Sequence, residues 1–294
     1  MKHLLPPRIL LLIIYMWPML LLAATPRKRP LHFVPADSVM TWGYDGTDFR
    51  LMALATDSTL TSHTVRLTRH DWKARRSLPQ QWEQRVSRER SRLLADDPML
   101  AAAALHEAAR IWLLTGQAWH FDLVEHLIYS TLIPAVSTDT LPAHSMPRWM
   151  AAQALIDAPG MLMGYDGDDL WLNFYTNATT RVHTATRSYM LDLITDMPRQ
   201  GQVRLRFMHL KEGKPFTLHL RMPHWAVQRD HPLAPPVAAD AQRAMPAIYV
   251  SGHEWDNVVP DADGYIHLTR SWRSGDEVYF TLPVQNFAAP KGVQ

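Results

Sequence analysis

Near Gly164 the hydrophobic period of the chain changes from about 3.6 residues to about 2, which separates a segment that can fold as helix from one that can fold as sheet. Ahead of the change, from about Asp71 to Met163, the signals are helical. Residues 80–95 form a basic amphipathic stretch with Arg85, Arg88, Arg90 and Arg92. Asp97-Pro98 reads as an N-cap followed by proline at the first helical position, opening a helix through Leu114 that Gly116 ends. Phe121, Val124, Leu127, Ile128 and Leu132 mark the buried face of a second helix, which Pro134 is expected to stop. Ser145 with Pro147 opens a third, with Met150, Ala151, Ala154 and Leu155 as its apolar stripe.

After Gly164, strands are expected at Leu170–Tyr175, Val203–Met208, Phe216–Met222, Ala247–Val250, Tyr265–Thr269 and Val278–Leu282, separated by Gly, Pro and Asp turns. Short strands at such intervals predict an antiparallel sandwich. Proline and alanine at 232–246 predict a long exposed loop within it. Residues 25–64 read as a linker or irregular segment, with a turn at Met40–Gly46 and a weak strand at Phe49–Ala55. The fold class expected is α+β: a helical region at 65–163 and a β-sandwich at 164–294.

The chain has 294 residues, 47% of them hydrophobic, enough for a sizeable core, and its net charge of +2 gives no reason to expect a nucleic-acid partner. Lys2, His3 and Arg8 precede an apolar run from Ile9 to Ala24, the layout of a cleaved signal peptide at residues 1–24. Arg27, Lys28 and Arg29 keep an uncleaved anchor open, although Pro18 interrupts the run. The mature chain is expected to be periplasmic or secreted, with no later membrane span. With no cysteine anywhere, it is not a lipoprotein, and disulfides, thiolate nucleophiles and cysteine-ligated zinc are excluded.

His106-Glu107-Ala108-Ala109-Arg110 begins like the zinc-protease HExxH but ends in arginine, so a helix-surface pair is the better reading. Phosphate-binding glycine loops and a GxSxG elbow are absent from the sequence. Asp166-Gly167-Asp168-Asp169 and Asp261-Ala262-Asp263-Gly264 carry carboxylates of the kind that bind calcium, but both precede expected strands and read as turns. Asn177-Ala178-Thr179 is a glycosylation sequon only in a eukaryotic secretory route. The arginine-rich helix reads as a solvated face in preference to a surface for acidic polysaccharide or membrane.

Several segments together carry a family resemblance. Leu170-Trp171-Leu172-Asn173-Phe174-Tyr175, Phe216–Ala226 with its Leu220-Arg221-Met222-Pro223-His224-Trp225-Ala226, and Gly264-Tyr265 through Arg270-Ser271-Trp272-Arg273-Ser274-Gly275-Asp276 to Leu282-Pro283 resemble, in order and spacing, the sandwich of glycoside hydrolase family 127, the β-L-arabinofuranosidases. Thr115-Gly116-Gln117-Ala118-Trp119-His120-Phe121-Asp122, with Glu125 and Tyr129, resembles a helix of the same family. The resemblance implies an α/α toroid followed by a β-sandwich. It also implies a zinc held by a glutamate and three cysteines, one of them the nucleophile, with a separate glutamate as acid/base.

Aligned on those motifs, the family's Glu-x-Cys falls on Asp97-Pro98-Met99 and its Cys-Cys-Pro on Ser145-Met146-Pro147. One carboxylate remains at Asp97, and Met99, Ser145 and Met146 stand where thiolates are implied, so no zinc or other cofactor is expected. Asp97 itself has a sufficient role as a helix cap. A toroid of about twelve helices, each of about 11 to 12 residues, also needs far more than the roughly 90 residues that read as helical.

The expected function is that of a degenerate, non-catalytic relative, carbohydrate-associated or partner-binding, with a polysaccharide or oligosaccharide as ligand. Trp42, Trp119 and Trp149 are the aromatic candidates for stacking on sugar, and Trp119 and Trp149 are preferred. The alternative is an active glycosidase using two carboxylates, drawn from Asp97, Glu107, Asp122 and Glu125. A partial toroid further predicts an apolar helical face covered by a protein partner or by a second copy of the chain.

Overall fold

The structure is a computed structural model that describes residues 26–40, 42–44, 47–138, 141–197, 199–227, 245–256 and 258–284. The leader expected at 1–24 and most of the loop expected at 232–246 lie outside the described residues, as do Thr41, Asp45 and Gly46 of the expected turn.

Strand β1 (His32–Phe33) and the short hairpin β2 (Gly43–Tyr44) and β3 (Thr47–Asp48) come first. Helices α1 (Phe49–Thr56), α2 (Arg69–Lys73), α3 (Leu78–Leu93), α4 (Pro98–Thr115) and α5 (Trp119–Leu127) follow. A π-helical turn, Ile128–Leu132, joins α5 to α6 (Ile133–Ser137), and α7 (Met146–Asp157) completes the main helical part. The sheets are built from β4 (Met163–Asp166), β5 (Asp169–Leu172), β6 (Ala178–His183), β7 (Ser188–Thr195), β8 (Gln202–Met208) and β9 (Phe216–Arg221). After the short helix α8 (His224–Val227) come β10 (Tyr249–Val250), β11 (His253–Glu254), β12 (Tyr265–Arg270) and β13 (Glu277–Thr281).

One sheet has the order β1-β4-β5-β9-β12 and the other β11-β10-β13-β8-β7-β6. The two form the expected sandwich, antiparallel except where β5 runs parallel to β9. The second sheet alternates strictly: Tyr189, Leu191 and Leu193 of β7 and Val203, Leu205 and Phe207 of β8 point inward, and their neighbours face solvent. In β9 only Thr217 is not buried, because the helices cover the face that the other sheet does not. The first sheet is therefore the middle layer between the helical part and the second sheet.

Both caps of α4 form where the sequence placed them, whereas Ser145 precedes α7 without a side-chain cap bond. Asp97 Oδ1 accepts from the N–H groups of Met99 (3.0 Å) and Leu100 (3.1 Å), and Gly116 ends α4 in the left-handed region at φ 69°. Pro134, in contrast, does not stop the second helix. The N–H of Ile133 reaches back to the carbonyl of Ile128, so the helix widens into a π turn that absorbs the missing donor and continues to Ser137. The segment at Phe49–Ala55 is a helix and not a strand. Asp48 caps it by accepting from Arg50 N (2.8 Å) and Leu51 N (3.2 Å), and Phe49 and Ala53 share its buried face at helical spacing.

Residues 25–64 are also more than a linker. Leu31, Phe33, Val34, Val39, Trp42 and Phe49 are buried, β1 extends the first sheet, and Val39 and Gly43 bridge to Thr180 and Asn177. Rings from all parts meet in one core. Phe33 stacks on Trp112 at 5.1 Å, Trp112 meets Phe121 edge-on at 5.3 Å, and Phe121 meets Phe174 at 5.1 Å. Gly164, where the period changes, lies under this cluster. A Cβ there would sit 2.2 Å from the Trp112 ring, so only glycine lets β4 pass beneath it.

A buried polar network locks the helices to the sheet. Arg221 is fully buried and donates to Asp122 Oδ1 (2.6 Å), Glu125 Oε1 (2.7 Å) and the carbonyl of Asn173 (2.6 Å). Trp225 Nε1 donates to the other Glu125 oxygen at 2.9 Å, and the Tyr265 hydroxyl joins Asn173 Oδ1 to Trp112 Nε1. Burial works against the Arg221 charge, but Glu125 and Asp122 outweigh it and hold its pKa above the ordinary guanidinium value. The motif residues of the family resemblance thus meet in space as an interlayer brace.

Candidate functional site

The N-terminus of α7 is set by Arg148, whose guanidinium donates to the carbonyls of Val136 (2.9 Å), Leu141 (3.2 Å) and Thr138 (3.3 Å) and so binds α7 to the end of α6. That anchoring turns Met146 and Trp149, three residues apart on one helix face, toward the C-terminus of α1. The same stripe continues to Gln153 and Asp157. Gln153 Nε2 donates to Thr61 O and to Asp157 Oδ1, both at 2.9 Å. Asp157 also accepts from His63 N (2.6 Å) and contacts His106 Nε2 at 2.8 Å. Burial, the largest single influence, pushes the His106 pKa down, but the bond to Asp157, the bond to the Ala102 carbonyl and the Asp157 charge together outweigh it and raise it.

Between these elements is a cleft of about 760 Å³, bounded by residues 54–58 and by Ala143, His144, Met146 and Trp149. Trp149 is 41% exposed and Met146 60% exposed, so an aromatic ring and a thioether are both open to a ligand. The Trp149 ring is held in place by its Nε1, which donates to Asp57 Oδ2 at 3.2 Å. Asp57 also accepts from the hydroxyl (2.7 Å) and N–H (2.9 Å) of Thr59, and those two bonds hold its carboxyl below the usual carboxylate range. A fixed, half-open indole beside an ionised carboxylate offers a flat apolar face and a hydroxyl acceptor side by side.

Of the residues singled out in the sequence, only Met146 and Trp149 line this cleft. Ser145 adjoins it, with a buried Oγ that has no hydrogen-bond partner among the described residues. Asp97 and Met99 are at the start of α4, where Asp97 caps the helix and Met99 is 42% exposed. Trp119 and Trp42 are not available to a sugar: both are buried, Trp119 against His120 at 3.9 Å and Trp42 edge-on to Phe49 and Phe174. Glu107 is paired with Arg110, which also bonds Asp71 at 2.7 Å. Asp122 and Glu125 belong to the buried brace, so neither presents a carboxylate to a cleft.

Of the two acidic turns, Asp168 braces the sheet edge by accepting from Thr184 (2.6 Å), Thr186 (2.5 Å) and Arg187 (3.2 Å), while Asp261 and Asp263 flank His267 at 3.2 and 3.4 Å. Asn177 of the sequon accepts from Thr195 N at 2.8 Å. Asp57 is the residue that sequence reasoning missed. Nothing local marks it, because its partner Trp149 is 92 positions away.

Residues 169–284 match the family model of the middle domain of the GH127 β-L-arabinofuranosidases. No curated protein matches the chain. Among solved structures, a GH127 β-arabinofuranosidase is similar over 63% of this chain and 32% of its own length, at 22% identity and a TM-score of 0.55. A GH127 β-L-arabinofuranosidase from Geobacillus stearothermophilus T6 is similar over 64% and 32%, at 19% identity and 0.50. A third, described as a glycoside hydrolase, is similar over 63% and 32%, at 18% identity and 0.50. The chain spans about a third of the length of these structures and shares their fold over the aligned part. The family that the sequence motifs resemble is the one whose middle-domain model residues 169–284 match, that of the GH127 β-L-arabinofuranosidases.

Proposed function

We propose that this is an exported, non-catalytic relative of the GH127 glycosidases that binds a neutral oligosaccharide or polysaccharide in the Trp149 cleft. The carrying observation is that Met146, at a position where the resemblance implies a thiolate, opens on a cleft whose other exposed wall is an indole fixed by Asp57. Stacking of a sugar face on Trp149 and hydroxyl donation to Asp57 are the recognition chemistry this wall offers.

The donor set does not fit zinc. Asp97 Oδ1 is engaged in the helix cap, and Met99, Ser145 and Met146 supply thioethers and a neutral hydroxyl where zinc prefers thiolate, imidazole or carboxylate. A two-carboxylate mechanism fares no better, since Asp122 and Glu125 are buried with Arg221 and Glu107 is paired with Arg110. Export rests on the character of residues 1–24. Among the described residues, no helix is long and apolar enough to cross a membrane. A partner on the helical part would meet Leu51, Met99, Met146 and Trp149, its exposed large apolar side chains.

A glycan array of plant and microbial polysaccharides tests the reading. Binding of a neutral glycan that disappears in Trp149→Ala is expected, and no binding of any neutral glycan by the unaltered protein would overturn it.

A further inference from the structure

We propose that a second groove, between β1 and the segment at residues 64–73, is a binding site for an anionic oligosaccharide. It shares no lining residue with the Trp149 cleft. Its volume is about 690 Å³, within the roughly 300–1,000 Å³ of ordinary ligand clefts. Arg66, Arg69 and Lys73 all line it. Among the described residues none of these three has an ion pair or a side-chain hydrogen bond, whereas Arg50, Arg110 and Arg148 are engaged with carbonyl or carboxylate oxygens. The carboxylate on the same short helix, Asp71, does not neutralise them, being buried and bound to Arg110 and Thr68.

The charge is also unevenly distributed along the chain. Residues 26–92 hold thirteen Lys and Arg against seven Asp and Glu, although the net charge of the whole sequence is only +2. Cations gathered without counter-charges in a concave wall attract an anion more strongly than the same cations spread over a convex surface.

Two features favour a saccharide over an acidic peptide. Aromatic rings line the groove: Trp72 on α2, one face of which carries the Arg75 guanidinium at 4.8 Å, and His32 beside Tyr165 with ring centres 5.5 Å apart on the paired strands β1 and β4. An extended peptide would instead bind by adding a strand to the edge of the first sheet. That edge is β1, only two residues long and bounded by Pro30 and Pro35, which have no N–H to donate. Rings and fixed cations without a usable backbone edge suit alternating sugar faces and acidic groups, whether carboxylate or sulfate.

Calorimetric titration of the full chain with an oligogalacturonate, with a heparin oligosaccharide and with a polyglutamate peptide tests the assignment. Binding of at least one acidic sugar is expected, weakened at least about tenfold, or about 1.4 kcal/mol, by Arg66→Gln/Arg69→Gln/Lys73→Gln and reduced by added salt. The oligogalacturonate and heparin arms distinguish a carboxylate from a sulfate ligand. The Arg88→Gln/Arg92→Gln variant, on the exposed side of α3, is expected to bind as the unaltered protein does. The three groove side chains are exposed, so their replacement is expected to leave thermal stability unchanged. Undiminished binding in the triple variant, an equal loss in the α3 variant, tighter binding of polyglutamate or no binding of either acidic sugar would each overturn the proposal.

Discussion

At the scale of single residues, two aromatic–carboxylate contacts serve different ends. Trp225 and Glu125 are both buried and only hold the layers together, whereas Trp149 and Asp57 make the same kind of bond at an open cleft. Trp149→Ala is therefore expected to abolish binding of neutral glycans with little change in melting temperature, as paired binding and thermal-melt measurements would show. Arg221→Ala is the opposite case. It leaves Asp122 and Glu125 as buried, uncompensated charges, so a loss of about 3 to 5 kcal/mol in denaturant unfolding is expected. Unaltered stability in that variant would contradict the brace. Gly164→Ala drives a methyl group into the Trp112 ring and is expected to cost about 1 to 3 kcal/mol by overpacking.

At the scale of elements, the sequence revealed most where the cause was local. The Asp97-Pro98 cap and the left-handed Gly116 were legible because a cap is decided within a few residues. The strands β8, β9, β12 and β13 were legible because their apolar residues alternate. The π turn before Pro134 was not, since proline ordinarily ends a helix and here the preceding turn widens instead. Neither β6 nor β7 was anticipated: inward-facing Thr180 and outward-facing Met190 and Ile194 break the apolar alternation that marks a strand. The helix at Phe49–Thr56 was read as a strand because eight residues are too few to separate the two periods by inspection.

Titrating histidines also belong to this scale. Burial, reinforced by His267, pushes His219 down to about 3, and burial, reinforced by His224, pushes His126 down to about 4. Both stay neutral in the folded protein while the unfolded chain takes up protons near the ordinary histidine pKa of about 6.5. Their contribution is thus fully present above that pH and is lost as pH falls toward about 4, at about 1.4 kcal/mol per pH unit for each group. His267, raised chiefly by its bond to Asp263, works in the other direction, and its contribution is lost as pH rises. Between about pH 7 and about pH 4, melting temperatures are expected to fall less steeply in His219→Gln than in the unaltered protein. Equal slopes would rule this out.

At the scale of the whole molecule, the fold class and the family resemblance were both legible, the first from the change in period and the second from motifs that meet around Arg221. The cleft was only half legible. Met146 and Trp149 are on one turn of one helix, but Asp57 and Thr59 come from a segment that reads as a linker and reaches the site only through tertiary packing. Buried Trp119 shows the same limit from the other side, because composition does not say which tryptophans the core takes.

The central claim is that the cleft binds sugar without cleaving it. A proton NMR time course of a β-L-arabinofuranosyl disaccharide with the protein, in zinc-containing buffer, reads both events in one sample. Saturation transfer from the protein to the intact disaccharide, lost in Trp149→Ala, with no free arabinose accumulating, is the predicted result. Protein-dependent release of arabinose, or no transfer to the sugar at all, would contradict the account.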